Sequence, residues 1–248
     1  MTKTGFVLLI SVCSMIAGVS VSAVDFWVDA ESGIALTGYN DVQIPADTGT
    51  RFSLADDLSP APTVFLRLQA GVDAERHSVL LLYAPLLVES SGKVGRDIDF
   101  YGETFPAGTE LTGKFRFNSY RLTYAYTFLK RPALDIAAGL TGKIRDAYIS
   151  LEGGGSSAKR TDLGFVPLIH LKVAWEFAAP FGLLLEGDGL AAPQGRAEDF
   201  LLALRYSPQP RLTLRLGYRV LEGGSDGGGS VYTFSMFHYV SAGARWTF

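Results

Sequence analysis

The stretch RLTLRLGYRV, residues 211–220, alternates between two kinds of side chain along its whole length. Every second residue is apolar, from Leu212 to Val220, and the positions between them carry three arginines, a threonine and a glycine. Successive side chains of a β-strand point to opposite sides, so this period of two predicts a strand with one apolar and one charged face. SYRLTYAYTF (119–128) and DFLLALRY (199–206) alternate in the same way, and no stretch shows a helical period of comparable strength.

Ten segments show this alternation, and the connections between them alternate in length. The segments span residues 25–38, 62–71, 78–90, 114–128, 133–147, 161–177, 182–190, 198–206, 211–222 and 231–248. Short connections at 72–77, 130–132, 178–180 and 207–210 alternate with longer ones at 39–61, 91–113, 148–160, 191–197 and 223–230. Short turns on one rim and long loops on the other are typical of membrane β-barrels. We therefore predict an all-β transmembrane antiparallel β-barrel of about ten strands, with eight or twelve as alternatives, short periplasmic turns and longer extracellular loops.

The first 23 residues have the composition of a cleaved secretory signal peptide. Lys3 precedes an apolar run, and Val21-Ser22-Ala23 forms a small-residue ending, so we expect cleavage after Ala23. An uncleaved membrane anchor is the alternative, but the run is short and contains serines. The single cysteine of the chain, Cys13, lies in this segment, and the mature part, residues 24–248, is expected to form one domain without disulfides.

Composition excludes several classes of function. The chain has 22 Lys and Arg against 25 Asp and Glu, and no basic block, which argues against nucleic-acid binding. Beyond residue 23 no uninterrupted apolar stretch approaches the roughly 18 residues of a membrane-spanning helix. An exported, mildly apolar chain of this kind can cross a membrane as a closed barrel of strands.

Alternation alone does not show which face of the strands contacts water, because a secreted β-sandwich or a lipocalin-like barrel has the same period. Aromatic residues at the strand ends favour the membrane barrel, which has an aromatic girdle at each interface. The predicted periplasmic girdle comprises Phe26, Phe128, Trp175, Phe177, Phe181, Tyr206, Trp246 and Phe248, and a looser outer set comprises Tyr39, Phe117, Phe165, Phe200, Tyr218 and Phe234. Long charged side chains at mid-strand, opposite the leucines, suit a polar lumen.

The ending YVSAGARWTF, residues 239–248, resembles the C-terminal strand of bacterial outer-membrane β-barrel proteins, with Phe248 last, Trp246 two places before it and Val240 further back. The resemblance implies that these three residues form a signal for the barrel-assembly machinery and that the protein is integral to the bacterial outer membrane. It points to no subfamily with a known activity. A core position in a soluble last strand is the alternative for Phe248.

The charged face predicts a network of ion pairs in the lumen, because isolated charges there are costly. Its predicted members are Arg67, Arg121, Lys143, Arg145, His170, Lys172, Glu176, Glu186, Asp188, Asp199, Arg205, Arg215, Arg219 and Arg245. Folding the chain around the short turns places Lys172 opposite Glu186, His170 opposite Asp188 and Asp199 opposite Arg219.

No residue pattern predicts catalysis, a cofactor or a metal. His170 with Asp188 could handle a proton, but no serine or second acid completes a site, so a satisfied polar pair in a plugged lumen is favoured. His77 is expected in a periplasmic turn and His238 on the lipid-facing side of the last strand. We expect a monomeric, non-enzymatic barrel with a structural, surface-interaction or narrow-conduit role and a largely plugged lumen. The alternative is an enzyme at the rim that acts on lipid A or protein.

The expected partners are outer-membrane lipid, lipopolysaccharide and, during biogenesis, the assembly machinery. Arg196 and Lys159, at predicted strand tops, could meet lipopolysaccharide phosphates, although a solvated rim also accounts for them.

Overall fold

The structure is a computed structural model that describes residues 24–226, 228 and 230–248. The predicted signal peptide and its cleavage position, Ala23, lie outside the described residues. Within these residues all regular structure is extended. Among the described residues, no helix is long and apolar enough to cross a membrane.

Fifteen strands follow one another along the described part of the chain. They are β1 (Val24–Gln43), β2 (Phe52–Ser53), β3 (Ser59–Pro60), β4 (Thr63–Ala74), β5 (His77–Ala84), β6 (Leu87–Lys93), β7 (Ile98–Phe100), β8 (Glu103–Phe105), β9 (Glu110–Arg131), β10 (Leu134–Gly153), β11 (Ser156–Ala178), β12 (Phe181–Ala192), β13 (Gly195–Gln209), β14 (Leu212–Asp226) and β15 (Tyr232–Thr247).

The long strands form a closed antiparallel barrel of ten strands, as predicted. Each long strand pairs with the next, and β1 closes the circle by pairing with β15 as well as with β4. The predicted strand 78–90 is interrupted at Pro85, and its two parts, β5 and β6, both pair with β9 and count as one barrel strand. Proline donates no backbone hydrogen bond, which explains the break in the ladder.

Two of the predicted long loops are largely strand instead. Residues 148–160 form the ends of β10 and β11, which pair up to Gly153 and Ser156 around a turn at Gly154 and Gly155. Both glycines have positive φ, of 60° and 88°, the conformation that a two-residue hairpin turn requires. Residues 191–197 likewise belong mostly to β12 and β13, which pair up to Ala192 and Gly195. The glycines of residues 148–160 thus serve a tight turn.

Two extracellular loops, residues 44–62 and 94–109, fold back into the outer mouth of the barrel. Their backbones bond to each other, with the Tyr101 amide 2.8 Å from the Ile44 carbonyl oxygen. Their buried apolar side chains pack against inward-facing residues of the barrel wall, and the cluster includes Ile44, Phe52, Leu54, Leu58, Val94, Ile98, Phe100 and Phe105 from the loops with Phe65, Leu111, Phe115, Leu151 and Phe237 from the wall. The outer mouth is therefore filled by an apolar core, which the sequence did not predict.

The outside of the barrel is apolar. All eight aromatic residues predicted for the periplasmic girdle are exposed, up to 66% for Phe248. Leucines on the same faces, including Leu122, Leu202 and Leu216, are exposed between the rims. A contiguous apolar exterior of this extent is what a lipid-embedded barrel requires. The prediction that Phe117 belongs to the outer girdle is wrong, because its side chain points inward and packs against the internal core.

Candidate functional site

The centre of the lumen is occupied by a carboxylate that is bonded to arginines from three strands. Asp199 on β13 is 2% exposed. Its oxygens accept hydrogen bonds from Arg121 Nη2 at 2.6 Å, Arg219 Nη1 at 2.6 Å and Arg67 Nη2 at 3.0 Å. These arginines come from β9, β14 and β4, so the cluster spans the width of the barrel.

Two further acids extend this cluster. Arg219 also donates to both carboxylate oxygens of Glu31, at 2.9 and 2.7 Å. Arg121 also donates to Asp188, at 2.7 Å. The second oxygen of Asp188 lies 2.9 Å from His170 Nδ1 and 2.7 Å from the Thr141 hydroxyl. We call Glu31, Arg67, Arg121, Thr141, His170, Asp188, Asp199 and Arg219 the central network.

The register of two predicted pairs is confirmed and that of a third is wrong. His170 lies opposite Asp188 across β11 and β12, as does Lys172 opposite Glu186. Asp199, however, lies opposite Leu221 rather than Arg219. The pairing continues through the predicted turn to Gln209 and Leu212, and together with a bulge between Tyr206 and Gln209 this displaces the ladder by two residues from the predicted register. Arg219 still reaches Asp199 diagonally, since long side chains bridge positions two residues apart.

Nearer the periplasm fewer of the charged side chains form ion pairs. Arg215 makes an ion pair with Asp29. Arg245 bonds to Asp73 at 2.7 Å and its guanidinium lies 3.7 Å from the centre of the Trp27 ring. The other predicted members at this level are Lys172, Glu186, Arg205 and Glu176, and none of them has an opposite charge within 4.0 Å among the described residues.

The prediction missed the acids that β1 contributes. Asp29 and Glu31 are buried, and they share the alternation of the inward-facing Trp27. That alternation was visible in the sequence and is the signal that could have found them. Asp73 was missed because it falls at the end of β4, in a stretch predicted to be a turn.

Above the central network lies a cavity of about 620 Å³. It is bounded by inward-facing residues of β9, β10, β14 and β15 and reaches the space between β11 and β12. Its apolar lining includes Ile44, Phe115, Phe117, Ile149, Leu190, Leu221 and Phe237. The volume is in the range of small-molecule binding sites.

Two cations of the predicted lumen set lie in the wall of this cavity, outside the central network. Arg145 makes an ion pair with Asp162. Lys143 is 2% exposed, and its ammonium lies 5.2 Å from the centre of the Phe117 ring. In the described part of the chain no carboxylate comes within 4.0 Å of this amino group, so Lys143 is a buried basic side chain without an ion-pair partner.

The basic side chains at the outer rim are occupied by neighbours in the barrel. Arg196 donates two hydrogen bonds to Glu222, each 2.8 Å long, and the Tyr39 hydroxyl donates to the same carboxylate. The Lys159 ammonium lies 4.1 Å from the centre of the Tyr148 ring. Binding of lipopolysaccharide phosphates by Arg196 or Lys159 stays a prediction.

The histidines lie away from the extracellular rim. His77 lies at the periplasmic start of β5, with Nδ1 2.9 Å from the Tyr124 hydroxyl. His238 faces outward on β15, with Nδ1 2.5 Å from the Tyr218 hydroxyl. Across residues 24–226, 228 and 230–248 no group of three metal-ligating side chains comes together.

The three residues of the predicted assembly signal lie on the outer surface of β15. Val240, Trp246 and Phe248 are all exposed, and the Phe248 amide bonds to the Phe26 carbonyl oxygen at 2.9 Å. The last strand thus closes the barrel against the first. Its recognition by assembly machinery stays a prediction.

Comparisons with known proteins bear on the fold. No protein-family profile matches the sequence. No curated protein is detectably similar to it in sequence. Among solved structures, the outer membrane protease OmpT from Escherichia coli is similar with a TM-score of 0.55, 11% identity, and coverage of 90% of this chain and 97% of that one. Ail, the attachment invasion locus protein of Yersinia pestis, aligns with a TM-score of 0.39, 11% identity, and coverage of 90% and 99%. At such identities the likeness concerns the fold: this chain is a small barrel of the outer-membrane type.

Proposed function

We propose that this protein is a non-conducting outer-membrane barrel that acts as a binding protein at its extracellular end. The observation that carries the proposal is the central network. Its three arginines meet on Asp199 from three sides of the barrel and occupy the lumen at mid-height. The apolar core of the two extracellular loops forms a second barrier above it.

This arrangement argues against the narrow-conduit alternative. A solute on its way through the lumen would have to separate buried ion pairs, which leaves uncompensated charges at a cost of several kcal/mol per ion. The cavity, by contrast, lies on the extracellular side of the network and has the size of a ligand site. Binding at this end therefore requires no opening of the barrel.

A catalytic role at the rim is less well supported. The likeness to an outer membrane protease concerns the fold. The two histidines outside the lumen bond to tyrosines at 2.9 and 2.5 Å rather than to acids, and His170 is buried in the central network. No described arrangement places a nucleophile beside a base at the rim.

Planar-bilayer recording of the purified wild-type protein tests the proposal. We expect no unitary current at any applied voltage, with a general porin in the same bilayer as the control for detection. Heat-modifiable migration on a gel shows that the sample is folded. Reproducible unitary currents from the folded protein would contradict a closed lumen.

A further inference from the structure

The pairing between β11 and β12 ends part of the way up the barrel. Its uppermost pair is Ile169 with Gly189. Above this point β11 continues to Ser156, while β12 continues only to Ala192 and pairs with β13 alone. Residues 156–168 of β11 therefore have an edge without a strand partner. We call the gap between residues 163–168 of β11 and 190–192 of β12 the lateral seam.

The lateral seam is flanked by exposed apolar side chains on the outer surface of the barrel. Leu163 and Phe165, which point outward from β11 beside it, are 75% and 70% exposed. Unpaired strand edges are not tolerated in direct contact with lipid, and they persist in a membrane only where they line a cavity or are covered. The cavity extends to this edge, since Phe165, Pro167 and Leu190 contribute to its lining. Pro167 also removes one unpaired amide from the edge.

The inner wall at the same level carries Lys143, which has no ion-pair partner. Lys143 on β10 pairs across the ladder with Val166 of the seam edge. Its ammonium lies in the cavity wall beside the Phe117 ring. A buried ammonium is costly unless an anion neutralises it. Asp199 and Asp188 of the central network lie more than 4.0 Å from it and are bonded to arginines, and Asp162 in the cavity wall is paired with Arg145.

We propose that the cavity binds a long-chain carboxylate, a monoanionic single-chain amphiphile taken from the outer leaflet through the lateral seam. The carboxylate neutralises Lys143, and the hydrocarbon chain covers the aromatic wall and the unpaired edge of β11. A volume of about 620 Å³ is sufficient for one such chain. This proposal rests on the proposed binding function and specifies its ligand class and its route.

Binding of palmitate to the purified full-length barrel in neutral detergent, measured by calorimetry, tests the ligand class. We expect one site in the wild type and a loss of affinity of about tenfold or more in Lys143→Gln, because a charge-assisted contact is removed. Lys159→Gln is the matched control, since it removes an outward-facing cation of the neighbouring strand and should bind as the wild type does. Cetyl alcohol, which has the same chain without the charge, should bind the wild type as weakly as palmitate binds Lys143→Gln.

Equal affinity of palmitate for the wild type and Lys143→Gln, or of the acid and the alcohol for the wild type, overturns the proposal. The alcohol comparison uses unaltered protein, so it decides the matter even where Lys143→Gln fails to fold. Absence of palmitate binding with a closed lumen in bilayers would reject this ligand and leave the non-conducting barrel standing. Unitary currents together with palmitate binding would reject the closed lumen and leave the proposed ligand standing.

The route is tested with a tryptophan at the seam. In phospholipid vesicles, brominated palmitate should quench the added fluorescence of Phe165→Trp saturably, and the saturable part should vanish when Lys143→Gln is combined with it. Phe128→Trp, at the periplasmic rim, should show only the linear quenching of a lipid-exposed residue. Saturable binding without saturable quenching at residue 165 would overturn the lateral route.

Discussion

Asp199 is the residue on which the lumen depends most, because three buried arginines share its two oxygens. Asp199→Asn keeps the shape of the side chain but leaves the positive charge uncompensated. We expect a loss of about 3–5 kcal/mol in the free energy of unfolding, the usual result of breaking a buried ion pair. Urea unfolding in detergent, followed by heat-modifiable migration, measures it.

Asp47→Asn is the matched control for Asp199→Asn, since Asp47 is exposed in the outer loop. It should change the free energy of unfolding by no more than about 0.5 kcal/mol. Equal stability of the two variants would show that the central network does not hold the barrel together.

The stability of the extracellular loop that contains Asp57 should depend on pH. Arg96 donates to both its carboxylate oxygens, at 2.8 and 2.7 Å, and this bonding holds the pKa of Asp57 below its ordinary value of 3.8. A lowered pKa stabilises the folded loop above pH 3.8, and the effect is lost as the pH falls through the folded-state pKa. Hydrogen-exchange protection of the Ser53 amide, which bonds to Asp57, should therefore hold from neutral pH to about 5 and fall in stronger acid.

Asp57→Asn supplies the comparison for this pH effect. The variant should show lower protection of Ser53 at neutral pH and little further change in acid. Both side chains are partly exposed to solvent, so the difference at neutral pH should be small, about 0.2–1 kcal/mol. Identical acid profiles for the wild type and the variant would assign the pH effect to another group.

Residue-scale alternation in the sequence was enough to assign faces but not contacts. It placed His170 and Asp188 on one side of their strands and in the correct register. It could not place Asp199 opposite its true neighbour, because the bulge before Gln209 has no distinct local pattern. The alternation also did not predict that Lys143 lacks an ion-pair partner, because this depends on the positions of acidic side chains on other strands.

At the scale of strands, closure depends on a close approach between β1 and β15. Gly33 has a φ of 153°, and a Cβ there would lie 2.1 Å from the Val240 carbonyl oxygen. Gly33→Ala should therefore cost about 1–3 kcal/mol and raise the unfolded fraction in refolding assays. Gly95→Ala, at a loop position where a Cβ meets nothing within 4 Å, should refold as the wild type does. Equal refolding yields for the two variants would contradict a constraint at this closure.

The lengths of the strands explain why the lateral seam was not predictable. Alternation continues through residues 156–168 whether or not a neighbour is present, so the sequence gives β11 the same pattern above and below Ile169. What creates the seam is the early turn after Ala192, which ends the hairpin of β12 and β13 while β10 and β11 continue. The seam is thus a property of two hairpins of unequal height.

At the scale of the whole molecule, the barrel is apolar outside and charged within, and this inversion was predictable because every strand repeats it. The filled outer mouth was not, since loops 44–62 and 94–109 lack a period that would show where their apolar residues go. Long-range packing of irregular segments has no local signature, whereas a face that recurs in ten strands does.

The apolar exterior predicts a cost that depends on depth in the membrane. Leu216, 63% exposed, lies on the lipid-facing side of β14, four residues from the periplasmic end of the strand, and Phe26 lies in the periplasmic girdle. Leu216→Arg should lower the free energy of unfolding in phospholipid vesicles by about 2–4 kcal/mol, and Phe26→Arg by about 0–1 kcal/mol, because a charge near the interface reaches water. Urea titration of both variants in the same vesicles gives the two values. Equal costs would mean that these residues do not lie at different depths of a bilayer, and a negligible cost for Leu216→Arg would place that face in water.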